Sequence, residues 1–170
     1  MYKILIAFLF TFILASKSYS EIIKKVNIIN NERITKETIL VFSDIKIGKD
    51  YTSNDLNQII KDLFSTNFFS DISLNLVNGT LTINVIENKI VQEIQINGIK
   101  KKELVEILKK QLLLKDKNPF VENFVTNDIE RIKKILKNSG YYFSSVKDQI
   151  VENQNNTVNV IFDIEPVSYT

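Results

Sequence analysis

The sequence predicts an α+β fold of two small domains in tandem. Each is built β-α-α-β-β, a three-stranded mixed sheet with two helices on one face. Three observations carry this. Leu63-Phe64-Ser65-Thr66-Asn67-Phe68-Phe69 is echoed 73 residues later by Leu136-Lys137-Asn138-Ser139-Gly140-Tyr141-Tyr142. Each copy closes an amphipathic helix with a small or polar turn, an aromatic pair and a strand, and repetition at such a period marks tandem units rather than one enzyme fold. Apolar residues recur at helical spacing before each copy and alternate with polar ones after it. Finally, Asn78-Gly79 sits between two alternating runs, a strong hairpin signal.

In the first repeat, Val26 and Ile28 alternate with polar neighbours and read as a strand that ends at Asn30-Asn31. Asparagine tolerates the backbone of such turns. Thr35 is placed to cap a short helix carrying Ile39, Leu40 and Phe42, and Gly48 marks its exit. Thr52 or Ser53 caps a second helix. Its stripe is Leu56, Ile59, Ile60, Leu63 and Phe64, spaced i, i+3, i+4, i+7, i+8, which is one helix face. Ile72, Leu74 and Leu76 then alternate with Ser73 and Asn75, and Leu81, Ile83 and Val85 form the return strand.

The second repeat follows the same plan. Ile94 and Ile96 alternate before Asn97-Gly98 turns the chain. A helix over about 102–113 carries Leu104, Ile107, Leu108 and Leu112, and a loop with Asn118-Pro119 follows. A helix over about 127–138 presents Ile129, Ile132, Ile135 and Leu136, and Gly140 suits its C-terminus. Strands follow over about 143–151 and 157–164, joined by Asn153-Gln154-Asn155-Asn156, and Pro166 ends the unit.

A targeting segment precedes the repeats. Tyr2-Lys3 is a short basic start, Ile4 to Leu14 is an apolar run of 11 residues broken only by Thr11, and Ser18-Tyr19-Ser20 supplies small residues before Glu21. This is the pattern of a secretory signal peptide cleaved after Ser20, and the run falls short of the roughly 20 residues of a spanning helix. The expected organisation is thus a leader over 1–20, a first repeat over 21–88, a second over 89–166, and the start of a further segment over 167–170, as in the front part of a longer protein. A natural end at Thr170 is the alternative.

Without Lys3 and Lys17 the basic count falls from 22 to 20 against 20 acids, so the mature chain is formally neutral. Its charge gives no footing for nucleic acid. The triplet Lys100-Lys101-Lys102 reads as a solvated helix start. The sequence has no cysteine, histidine or tryptophan. An exported chain without disulfides folds on its apolar core alone, and His triads, His metal sites and thiol chemistry are removed together. Glu103 with Glu106, and Asp128 with Arg131, have i,i+3 spacing and read as exposed helix faces. Glycines at 48, 79, 98 and 140 are too far apart for a phosphate loop. No catalytic, cofactor-binding or metal-binding residues are expected, and the chain is not read as an enzyme.

A three-stranded sheet covered on one face keeps strand edges, and an open edge accepts an extended peptide through backbone bonds that demand little of the partner's sequence. The candidate edges are the second strand of each repeat: Ile72, Ser73, Leu74, Asn75, Leu76 and Val77 in the first, and Ser145, Val146, Lys147, Asp148, Gln149 and Ile150 in the second. The aromatic pairs Phe68-Phe69 and Tyr141-Tyr142 are read as core or inter-domain packing.

These residues resemble the polypeptide-transport-associated (POTRA) repeats of the BamA family of outer-membrane β-barrel assembly factors. The family's Gly-Asn-x-Arg-Ile is matched by Asn30-Asn31-Glu32-Arg33-Ile34, followed by Thr38-Ile39. Its Leu-Phe-x-Thr-Gly-Phe-Phe-x-Asp-Val is matched by residues Leu63 to Ile72, and its Val-x-Glu-Asn-Pro junction by Val85-Ile86-Glu87-Asn88 and then Lys89. In the second repeat Asp128, Ile132, Leu136, Gly140 and Tyr141 follow the family spacing. Asn30 and Asn67 replace glycines, Lys89 a proline and Leu136 a tyrosine; asparagine is the mildest of these changes because it tolerates positive φ.

The resemblance implies repeats on the periplasmic face of a Gram-negative outer membrane, attached to a C-terminal β-barrel outside these residues. It implies that they receive unfolded outer-membrane proteins and dock accessory assembly lipoproteins, with no cofactor. The alternatives are the POTRA module of another secretion or translocation transporter, such as a two-partner secretion system, and an envelope scaffold binding a folded partner. An exported hydrolase would require paired catalytic groups that the sequence lacks.

Overall fold

The computed structural model describes residues 20–166; the expected leader before Ser20 and the segment after Pro166 lie outside the described residues. The chain divides into two compact units, one formed by the residues up to Thr66 with Asp71–Ile86, the other by Asn67–Ser70 with the residues from Glu87 onward.

The first unit runs β1 (Ser20–Ile22), β2 (Lys25–Ile29), α1 (Lys36–Ser43), β3 (Asp50–Thr52), α2 (Ser53–Ser65) and all but the end residues of β4 (Phe69–Val77) and β5 (Thr80–Glu87). Its sheet has the order β2-β5-β4, with β2 parallel to β5. Thr35 caps α1, its hydroxyl accepting from Thr38 N–H. Thr52 caps α2 in a reciprocal box, its hydroxyl accepting from Asp55 N–H while the Asp55 carboxylate accepts from Thr52 N–H at 2.8 Å. The stripe of α2 buries Ile59 and Leu63 and leaves Phe64 39% exposed at its margin. Asn78 and Gly79 both take positive φ, 52° and 76°, as a tight hairpin between right-twisted strands requires. Ile28, Ile39, Tyr51, Leu81, Ile83 and Val85 are among the buried residues of this unit.

The short ribbon of β1 and β3 was not expected. It pairs antiparallel, with Glu21 opposite the buried Tyr51. The Glu21 carboxylate also accepts from the Gly79 N–H, and Gly79's carbonyl accepts from Lys24 and Lys25 N–H. The ribbon thus ties the entering chain to the hairpin turn.

The second unit runs β6 (Ile90–Asn97), α3 (Lys102–Gln111), α4 (Glu122–Asn138), β7 (Ser144–Glu152) and β8 (Thr157–Pro166). Its sheet has the order β6-β8-β7, with β8 parallel to β6 and antiparallel to β7. The core joins Val91 and Ile94 of β6, Val158, Val160, Phe162 and Ile164 of β8, and Leu104, Leu108, Val125, Ile132 and Leu136 of the two helices. Alternate residues of β8 therefore face the helices, and both helices lie on one side of the sheet.

Several expectations need correction. Helix α4 starts at Glu122, five residues before the expected start near Asn127, because Phe124 and Val125 extend its apolar stripe by a turn. Asp128 is fully buried rather than on an exposed face. Ile107 is 50% exposed although it fits the stripe of α3. Phe69 is buried and meets Phe68 edge-on at 6.5 Å, and Tyr141 packs on the core, but Tyr142 is 67% exposed.

Candidate functional site

In each unit the last strand made is central, so the strand before it lies at an edge. Strands β4 and β7, nine residues each, are the outer strands of their sheets. All twelve candidate residues therefore sit on outer strands, six per unit. The pleat sorts their side chains. Ile72 is buried, Leu74 and Leu76 are half-buried, and Ser73, Asn75 and Val77 are exposed. In β7, Val146 and Ile150 pack against the core, Ser145 is half-buried, and Lys147, Asp148 and Gln149 are exposed. Beyond the β7–β8 ladder, the polar side chains of β7 reach across to Glu165: Ser145 Oγ at 3.3 Å and Lys147 Nζ at 3.2 Å. These bonds lie on the face away from the helices. They hold the lysine over the sheet and leave the backbone edge alone. A charged residue on an edge strand also discourages indiscriminate pairing.

The opposite edge of the second sheet is different, and sequence reasoning missed it. Strand β6 is bordered by residues 116–120. Val91 N–H donates to Asn118 O at 2.9 Å, Lys117 N–H to Val91 O at 2.7 Å and Phe120 N–H to Lys89 O at 2.7 Å. Ile90 and Pro119 form an antiparallel bridge. The Asp116 carboxylate accepts from Ile94 N–H at 2.8 Å, and Lys117 Nζ donates to Gln92 O at 3.1 Å. This strap occupies the edge where β6 carries a bulge between Val91 and Glu93. The Asn118-Pro119 pair signals a loop but not its partner.

Asp128 holds the chain just before the strap. Its two carboxylate oxygens accept from Leu113 N–H at 2.6 Å and Leu114 N–H at 2.9 Å, groups left unpaired as the chain departs from α3. Burial pushes its carboxyl above the usual range, against the opposing effect of those two bonds and of the Arg131 and Lys115 charges. The arrangement is structural: it satisfies buried backbone donors. A signal was available, since Asp128 falls in phase with Val125, Ile132 and Leu136 on the buried stripe. Among the described residues no group of three or more His, Cys, Asp or Glu is placed to hold a metal ion, and no helix is long and apolar enough to cross a membrane.

With this geometry in place, comparison with known proteins is specific. Residues 89–166 match the POTRA family model, described as a surface antigen variable number repeat. The chain is 26% identical over 147 residues to the outer membrane protein assembly factor BamA of Neorickettsia risticii, covering 86% of this chain and 20% of that protein. It is 30% identical over 69 residues to BamA of Neisseria meningitidis serogroup B, 41% of this chain and 9% of that one. The chain thus spans a fifth or less of the length of these relatives. Among solved structures it is similar to the N-terminal domain of Omp85 from Thermosynechococcus elongatus, with a TM-score of 0.58 at 16% identity over 85% of this chain and 63% of that one. It is also similar to POTRA3-5 of Haemophilus influenzae BamA, with a TM-score of 0.52 at 14% identity over 91% of this chain and 70% of that one.

Proposed function

We propose that this chain, whose residues 89–166 match the POTRA family model and whose fold is similar to that of Omp85 and BamA POTRA domains, is the periplasmic, substrate-receiving part of an outer-membrane protein assembly factor. Unfolded β-barrel proteins add to it as strands along β4 and β7. The role is to bind and position other chains, and it involves no cofactor.

One observation supports the strand-addition mechanism above all. Each unit ends its sheet in a nine-residue outer strand, and among the described residues nothing hydrogen-bonds to the outer backbone edge of β7. An extended client pairs with such an edge by main-chain bonds, which suits a receiver of many different sequences. Accessory assembly lipoproteins are the further partners of this reading, and the membrane is reached through a barrel beyond these residues.

Proline substitution tests it. Asn75→Pro and Lys147→Pro each interrupt an outer strand, since proline lacks the N–H and disturbs pairing. Crosslinking of unfolded outer-membrane proteins to the neighbouring strand is expected to fall sharply while circular dichroism shows the fold retained. Unchanged crosslinking in folded variants would rule out these edges as the client site.

A further inference from the structure

We propose that the second repeat holds another strand-binding site, on the edge of β6, which the chain's own strap over residues 116–120 occupies until a client strand displaces it. This rests on the reading that these repeats accept strands. It adds a site, an occupant and a means of control to that reading.

The occupant is argued from what already sits there. The strap bonds to β6 as an added strand would: three main-chain bonds alternate in direction between Lys89 or Val91 and residues 117–120, and Ile90 faces Pro119 across an antiparallel bridge. The edge thereby already takes main-chain bonds from a second segment of the chain. The strap is nevertheless a poor strand. Lys117 takes positive φ, 66°, which costs a non-glycine residue conformational energy. The Ile94 N–H is met by the Asp116 side chain rather than by a strap carbonyl. An incoming regular strand would offer a carbonyl to Ile94, so it competes with an imperfect resident.

Two carboxylates set the strength of the cover. Asp116 fixes the strap to β6 directly, and Asp128 fixes Leu113 and Leu114 just before it. Asp116 is the one to alter, because it is exposed and outside the core, whereas Asp128 supports the fold.

The test uses the whole chain and a short soluble peptide of alternating valine and threonine with lysines at its ends. A photo-crosslinking residue is placed at Glu93 to report on β6 and at Gln149 to report on β7. Because the chain has no cysteine, Ile90→Cys with Pro119→Cys makes a single disulfide between directly opposed residues, within the reach such a bond requires. Asp116→Ala is expected to raise crosslinking at Glu93 about tenfold, the factor expected from losing one charge-assisted bond. The disulfide is expected to abolish it and reduction to restore it, with crosslinking at Gln149 unchanged throughout. Crosslinking at Gln149 with none at Glu93 in Asp116→Ala would overturn the β6 site and leave the β7 reading standing. Equal crosslinking at Glu93 in the locked and reduced forms would overturn displacement of the strap. Absence at both positions would overturn both readings.

Discussion

A side chain at Gly98 would place its Cβ 1.8 Å from the carbonyl oxygen of Ile164. Gly98 also has a φ of +87°, so it meets two constraints at once: a left-handed backbone and the close approach of β8 as β6 ends. Gly98→Ala is expected to destabilise the second repeat by about 3 kcal/mol or more, because backbone must move to relieve the overlap. Gly48 and Gly140 have similar φ but open space around them. Alanine there is expected to cost only about 1–2 kcal/mol, the left-handed penalty alone. Urea unfolding of the three variants separates the two contributions.

Acid titration is expected to move the repeats in opposite directions. Asp128 has its carboxyl raised above 3.8 by burial. The folded state then binds that proton more tightly than the unfolded state, so the second repeat loses stability as pH rises from 3.8 through the raised pKa and levels off above it. Asp55 is held below 3.8, first by the hydrogen bond from the Thr52 hydroxyl and then by Thr52 N–H. Its contribution is present above 3.8 and is lost as pH falls through the lowered pKa. Amide hydrogen exchange across this range, resolved by repeat, measures both trends, and Asp128→Asn should flatten the first.

Removing the carboxylate altogether tests its structural role. Asp128→Ala leaves the Leu113 and Leu114 backbone donors just before the strap without partners and is expected to cost about 3 kcal/mol. The loss should appear as lower exchange protection at Leu113 and Leu114 before it appears elsewhere.

The asparagines that stand where the resembling family has glycine both adopt left-handed backbone, Asn30 at φ 63° and Asn67 at φ 60°. Asn67→Gly is expected to change stability by less than about 1 kcal/mol, whereas Asn67→Val should cost about 2 kcal/mol, since a β-branched residue resists that conformation. Thermal unfolding distinguishes the two.

The legible parts of the fold were those written in local spacing. The five-residue stripe of α2, the cap at Thr52 and the Asn78-Gly79 hairpin each depend on neighbours within a turn or two, and the structure has all three. What escaped depends on distant partners. The β1–β3 ribbon joins three-residue strands too short to show alternation. Asp128 looks like half of a surface pair until residues 14 and 15 positions away supply its donors. The strap's pairing with β6 spans more than twenty residues and leaves no periodic trace. The outer strands were inferred from the expected fold and not from local spacing, and the sheet orders place them at an edge.

Placing the final strand at the centre has a kinetic consequence. Lys25 waits for Thr80, 55 residues later, and Ile90 waits for Thr157, 67 residues later. As the chain emerges from its N-terminus, neither sheet can close until its closing segment exists. Distant pairing of this kind sets the pace of assembly, since loop closure precedes its reward. Each repeat thus completes in a single late step, and the first is finished while the centre of the second is still to be made.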